Sequence, residues 1–141
     1  MPPPLILGSA SPRRADLLAR LGLEFTVRAA DIDETPRAGE HPRDYVKRLA
    51  GEKVLALSTG TGDCLMLTAD TTVILDGQSL GKPRDPGHAR AMLEALSGRE
   101  HEVCTAVCLR RAARSELVCV CTKVEFAQLS PVLIDDYLSG D

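Results

Sequence analysis

The stretch "PLILGSASPRRADLL", Pro4 to Leu18, decides how the rest of the chain is read. Leu5 to Leu7 make a short buried strand. Small residues then lead to a helix whose start is marked by Ser11 as N-cap and Pro12 at the first helical position. Leu17, Leu18 and Leu21 lie on one helical face, and Gly22 is the terminator. Arg13 and Arg14 fall in the first turn. That is the wrong end for cations, because unpaired backbone N–H groups and the helix dipole already make an N-terminus positive. No acidic residue shares that first turn with them.

Working outward, "LEFTVRAA" is a second strand that enters the acidic turn Asp31, Asp33, Glu34, and "TPRAGEHP" is loop. A helix from near Pro42 to about Leu57 carries Val46, Leu49, Lys53 and Leu57 at helical spacing, which puts Lys53 on the inward face. "STGTGD" is a flexible connection, "CLMLTADTTVIL" is a strand too apolar at its start to be exposed on both sides, and "DGQS" turns it back. Asp85 and Pro86 open a helix through Leu96 that Ser97 and Gly98 close. "HEVCTAVCLRR" and "ELVCVCTKVEFAQL" are strands joined by a polar turn around Ala113 to Ser115, and Ser130-Pro131 starts a last short helix running to Asp141. Strands and helices alternate irregularly and include hairpins. The expected fold is therefore α/β, a mixed sheet flanked by helices.

The chain has 141 residues, 44% of them apolar, and a formal net charge of -3. That supports one sizeable core and a single domain over residues 1–141. No apolar run approaches ~18 residues and "MPPPLILG" lacks the basic start of a signal peptide, so a cytoplasmic location and no membrane partner are expected. Mild acidity and two Phe, two Tyr and no Trp speak against a nucleic-acid partner. Any anion site must be a local concentration of cations. The five cysteines lack CxxC pairs and read as reduced core residues, and His41, His88 and His101 read as solvated or locally bonded. Asp135, Asp136 and Asp141 load negative charge toward a helix C-terminus, so the chain reads as interrupted.

Four places could carry chemistry. At the first strand-to-helix turn, Ser9, Ser11, Arg13 and Arg14 either point into water or receive an anionic oxygen, with the arginines as bidentate donors; the GxxxxGK[ST] pattern of a P-loop is absent. Asp70 follows the buried pattern "CLMLTA", where a charge must be paired, hold metal or serve as a turn cap. A three-residue reversal at "DGQS" would set Lys82 opposite Thr72, on the face of Asp70. Lys53 either snorkels to solvent or points into a cleft, and Glu34 with Asp70 would suit a hard divalent cation. Together Arg13, Arg14, Lys53 and Lys82 could neutralise a polyphosphate whose metal Glu34 and Asp70 hold.

The motifs "SASPRR", "DIDE", Glu52-Lys53, "ADTTV", "GKPRD" and "LSGREHEVCTAV" resemble, in order and spacing, those of the Maf-like nucleotide pyrophosphatases. The resemblance implies a two-lobed fold related to the inosine triphosphate pyrophosphatases, with a central cleft for nucleotide, and often a homodimer. It implies hydrolysis of a nucleoside triphosphate to monophosphate and pyrophosphate with a divalent metal, Mg or Mn. By motif, Asp70 would be the general base and Arg13 and Thr71 would help choose the nucleobase. Ser9, Arg14, Glu34, Lys53 and Lys82 would line the phosphate and metal site. The arginine directly after "SP" resembles the dTTP/UTP branch, whereas the 7-methyl-GTP branch carries a tryptophan there. The family pattern continues beyond Asp141 through a "DKAGAYGIQG"-like block whose glutamine helps define the substrate pocket. The rival expectation is a nucleotide-binding regulatory module of cell division without turnover.

Overall fold

The computed structural model describes residues 3–58 and 62–140; part of the "STGTGD" connection, and Asp141 at the expected end of the last helix, lie outside them. Among the described residues the elements run β1 (Leu5–Leu7), α1 (Pro12–Arg20), β2 (Thr26–Val27), α2 (Pro42–Leu57), β3 (Leu65–Leu75), β4 (Gln78–Leu80), α3 (Pro86–Leu96), β5 (Glu100–Arg111), β6 (Arg114–Glu125) and α4 (Pro131–Ser139). They build one mixed sheet in the order β2-β1-β3-β5-β6, with β4 paired to β3. β1 runs parallel to β2 and β3, pairing Leu5, Ile6 and Leu7 with Leu65, Met66 and Leu67, while β3 and β4 are antiparallel.

Every helix starts with a proline in its first turn, which suits a position whose N–H has no intrahelical partner. Asp85 and Ser130 cap α3 and α4 by accepting from the backbone N–H groups of His88 and Leu133. Ser11 occupies the N-cap of α1 but makes no capping hydrogen bond with its side chain.

The chain divides into two compact units. The first runs to Thr71 and takes in Thr105–Val120; the second comprises Thr72–Cys104 and the chain from Cys121 on. In the first unit, α2 buries Val46, Ala50, Val54 and Leu57 against Ile6 of β1, Met66 of β3 and Ala106 and Cys108 of β5. The turn after β1 fits closely here: a Cβ on Gly8 would meet Leu57 Cδ1 at 2.3 Å and Thr68 Cγ2 at 2.9 Å. Thr68 Oγ1 donates to the Ala50 carbonyl at 2.7 Å, tying β3 to α2. In the second unit α3 packs beside α4, and Arg90 pairs with Asp135, so that carboxylate is compensated by a neighbouring helix.

Several expectations need correcting. The leucine face of α1 is not buried: none of its residues is, and Leu17 and Leu21 are 58% and 72% exposed. The strand read from "LEFTVRAA" shrinks to Thr26–Val27. The β3–β4 turn has two residues, Asp76 and Gly77, both at positive φ, which is the hairpin geometry that Asp-Gly favours. Val73 consequently faces Leu80, and the ladder ends there, so Lys82 is not opposite Thr72. Likewise β5 and β6 turn at Ala112 and Ala113 rather than Ala113 to Ser115. The cysteines are not all reduced: Cys104 of β5 and Cys121 of β6 sit 4.0 Å apart at Cα and form a disulfide, while Cys64, Cys108 and Cys119 take part in no disulfide. Two cysteines separated by 17 residues meet because the intervening chain is a hairpin.

Candidate functional site

In the first unit α2, β3 and the acidic turn after β2 bring two carboxylates onto one lysine. Lys53 Nζ lies 2.6 Å from Asp70 Oδ2 and 3.4 Å from Glu34 Oε1. Side-chain exposure is 15% for both Lys53 and Asp70, so Lys53 points inward with its charge and does not snorkel to water. Asp70 lies within β3 rather than at its end, because the β-branched run Thr71, Thr72, Val73, Ile74 continues the strand. Its Oδ2 is out of contact with solvent and, although close to Lys53 Nζ, accepts no well-directed hydrogen bond. An anionic oxygen in that situation has coordination to spare.

α1 approaches Asp70 from the other side of the sequence through Arg14. Its Nη1 donates to Ser9 Oγ at 3.2 Å and to the Ala69 carbonyl at 3.1 Å, and its Nη2 donates to Thr71 Oγ1 at 2.9 Å. Arg14 thus grips β3 on both sides of Asp70, and three of its N–H donors are engaged within the protein. Ser9 Oγ also accepts from the Ser11 backbone N–H at 3.1 Å, and Thr71 Oγ1 lies 3.0 Å from Thr105 Oγ1. Arg13, by contrast, is exposed. The structure therefore separates the arginine pair into one inward and one outward residue. Lys82 belongs to the second unit, on the exposed segment between β4 and α3.

Sequence reasoning missed the residues that shape the acidic turn. Arg48 of α2 donates to Glu40 through Nε at 2.7 Å and Nη2 at 2.9 Å, to Glu52 through Nη1 at 3.3 and 3.2 Å, and to the Thr35 carbonyl through Nη2 at 3.1 Å. Hydrogen bonding by Arg48 holds the Glu40 carboxyl down at about 2, with burial opposing and the Arg37 backbone N–H assisting. Tyr45 donates its hydroxyl to the Glu34 carbonyl. Asp33 Oδ1 accepts from both the backbone N–H and the hydroxyl of Thr35, which lowers its pKa. The available signal was the spacing of Tyr45, Arg48 and Glu52 along the same helix as Lys53.

A family model described as "Maf-like protein" matches residues 4–141. The chain belongs to the Maf-like family. Among its relatives, a dTTP/UTP pyrophosphatase of Anaeromyxobacter dehalogenans is 54% identical over 142 residues, covering 98% of this chain and 71% of the relative. One of Myxococcus xanthus is 53% identical over 126 residues, covering 89% and 64%. One of Shewanella oneidensis is 48% identical over 144 residues, covering 96% and 74%. Among solved structures, the Staphylococcus aureus Ham1 protein matches with a TM-score of 0.59 over 86% of this chain and 70% of that one, at 12% identity. That likeness concerns the fold alone, and it agrees with a Maf-like mixed sheet flanked by helices.

Among the described residues no helix is long and apolar enough to cross a membrane. A second group of ligand types, Glu102 with Cys104 and Cys121, also comes together, but its two sulfurs are bonded to each other.

Proposed function

We propose that this chain hydrolyses dTTP or UTP at the α–β phosphoanhydride, giving the nucleoside monophosphate and pyrophosphate. The observation that carries the proposal is its roughly 50% identity, across nearly its whole length, to relatives named dTTP/UTP pyrophosphatase. Glu34 and Asp70 are hard oxygen donors around the half-buried Lys53 ammonium, and the spare coordination of Asp70 Oδ2 fits a divalent ion such as Mg²⁺ or Mn²⁺. Bound there, such an ion would offset phosphate charge and make a nearby water more acidic.

The residues of the chain divide the remaining work. Asp70 accepts the proton of the attacking water as its oxygen bonds to the α-phosphorus; the bridging α–β bond breaks and its electron pair leaves with pyrophosphate. Lys53 lies against the Asp70 carboxylate and places a positive charge beside the phosphates. Arg14 holds the Ala69–Thr71 segment that aims the carboxylate, and its uncommitted N–H groups, with exposed Arg13, are free for substrate.

The test is incubation with a panel of natural and methylated triphosphates and Mg²⁺ or Mn²⁺, followed by product chromatography. Fastest turnover of dTTP or UTP to monophosphate and pyrophosphate is expected. Preference for 7-methyl-GTP would overturn the substrate assignment. Thermal protection by nucleotide without pyrophosphate release would make the chain a binding module instead. Asp70→Asn should lower turnover by at least ~10²–10³ while nucleotide still binds. Near-normal turnover by that variant would end the assignment of Asp70 as base.

A further inference from the structure

We propose that Tyr45 and Arg48 are positioning residues that set the Glu34 carboxylate beside Asp70 for a shared divalent cation. The inference rests on the metal role given above to Glu34 and Asp70. It starts from an asymmetry between the two acids. Asp70 is fixed by a regular strand, but Glu34 comes from a turn, lies in no helix or strand, and its side chain is 51% exposed. A carboxylate on a turn pays an ordering cost each time it coordinates unless its backbone is already held.

The backbone at this turn is held by α2 at two consecutive carbonyls. Tyr45 donates to the carbonyl of Glu34 itself, and Arg48 Nη2 donates to that of Thr35 at 3.1 Å. Arg48 is itself fixed: its side chain is 14% exposed, and Glu40, 10% exposed, takes its fork in two parallel hydrogen bonds. The guanidinium carbon also lies 5.5 Å from the centre of the Tyr45 ring, so the two donors support each other. Farther along the turn, Glu40 accepts from the Arg37 backbone N–H at 3.1 Å, which closes the far end of the loop onto the same arginine.

This geometry is more than general stabilisation of a loop. The two pinned carbonyls belong to Glu34 and its successor, and the same helix supplies Lys53, the cation that faces the Glu34 carboxylate. α2 therefore sets both the backbone and the side-chain end of Glu34. A lysine at position 48 would keep a charge but lose the planar fork that reaches Glu40, Glu52 and Thr35 together.

The test measures Mn²⁺ binding to the full chain by electron paramagnetic resonance without nucleotide, and the Mn²⁺ concentration for half-maximal turnover of dTTP. The variants are Tyr45→Phe, Arg48→Lys and Glu34→Gln, each checked by its melting curve. Arg48→Lys should weaken Mn²⁺ binding by roughly tenfold or more, the range seen when groups that orient metal ligands are removed. Tyr45→Phe, which alters a single hydroxyl, should weaken it less, and excess Mn²⁺ should restore its kcat. If Glu34→Gln weakens Mn²⁺ binding but both positioning variants bind it like the native chain, the positioning role is wrong and the metal assignment stands. If Glu34→Gln binds as the native chain does, or the native chain binds none, the metal assignment fails and takes the positioning role with it.

Discussion

α1 and α2 both begin with a proline in the first turn and both send an arginine into hydrogen bonds around the acidic site, yet they are held in the protein by different forces. α2 buries Pro42, Val46, Leu49, Ala50, Val54 and Leu57, whereas no residue of α1 is buried. The arginine of α2 is locked to carboxylates, and that of α1 to a hydroxyl pair and a carbonyl. α2 is a core element that also carries Lys53, the cation set against Glu34 and Asp70. α1 is a surface element whose hold on the site is polar.

The largest effect that could break this contrast is on stability. Leu49 is 1% exposed, and Leu49→Ala should destabilise the protein by about 2–5 kcal/mol through lost burial and an unfilled cavity. Leu17, 58% exposed on α1, should tolerate the same change within roughly 0.5 kcal/mol. Denaturant melts of the two variants decide the matter. Comparable losses would mean that the α1 leucines are covered in solution and that the two helices are alike.

How much of this was legible in the sequence follows the same division. Helix starts at Pro12, Pro42, Pro86 and Pro131 could be read because proline's fixed φ and missing N–H act locally. The α2 stripe could be read because burial of one face leaves a periodic trace. The α1 stripe left a similar trace without the burial, since periodicity records a helix's apolar face and not whether anything lies against it. The position of Lys82 went astray on a single residue of loop length at Asp76-Gly77. The Cys104–Cys121 bond depends on hairpin register, and the role of Arg48 depends on which carbonyls of a distant turn need a donor. Neither is a local property of the chain. The convergence of Glu34, Lys53 and Asp70 was foreseen only as a set of charges and not as a geometry.

A middle-sized effect separates the paired arginines of α1. Removing Arg14 forfeits its hydrogen bonds to Ser9, Ala69 and Thr71, so Arg14→Ala should lower stability by roughly 1–3 kcal/mol. It should also reduce kcat at least roughly tenfold, because the segment carrying Asp70 is then less well placed. Arg13→Ala should leave the melting temperature nearly unchanged and act on the KM for nucleotide. A variant pair in which Arg14→Ala melts like the native protein, or in which Arg13→Ala is the less stable, would remove the assignment of Arg14 as the residue that grips β3.

The smallest effect sharpens the contrast by pH. Glu40 has its pKa lowered from 4.5 to about 2, chiefly by hydrogen bonds from Arg48. Because the folded-state value is the depressed one, the unfolded chain takes up the proton first as pH falls. The contribution of the Arg48–Glu40 pair to stability is therefore complete above about 4.5 and is lost progressively as pH drops toward about 2. Asp33 and Asp63, lowered by Thr35 and Arg111, slope the same way, so the measurement must be a difference between proteins. Melting temperatures of the native chain and of Glu40→Gln are compared at pH 6 and pH 3, with Arg14→Ala alongside. The partners of Arg14 are uncharged, so its removal should leave the native pH dependence intact, whereas Glu40→Gln should flatten it. If Glu40→Gln keeps the native slope, the ion pair on α2 does not titrate as its geometry requires, and the two helices are held by forces of the same kind.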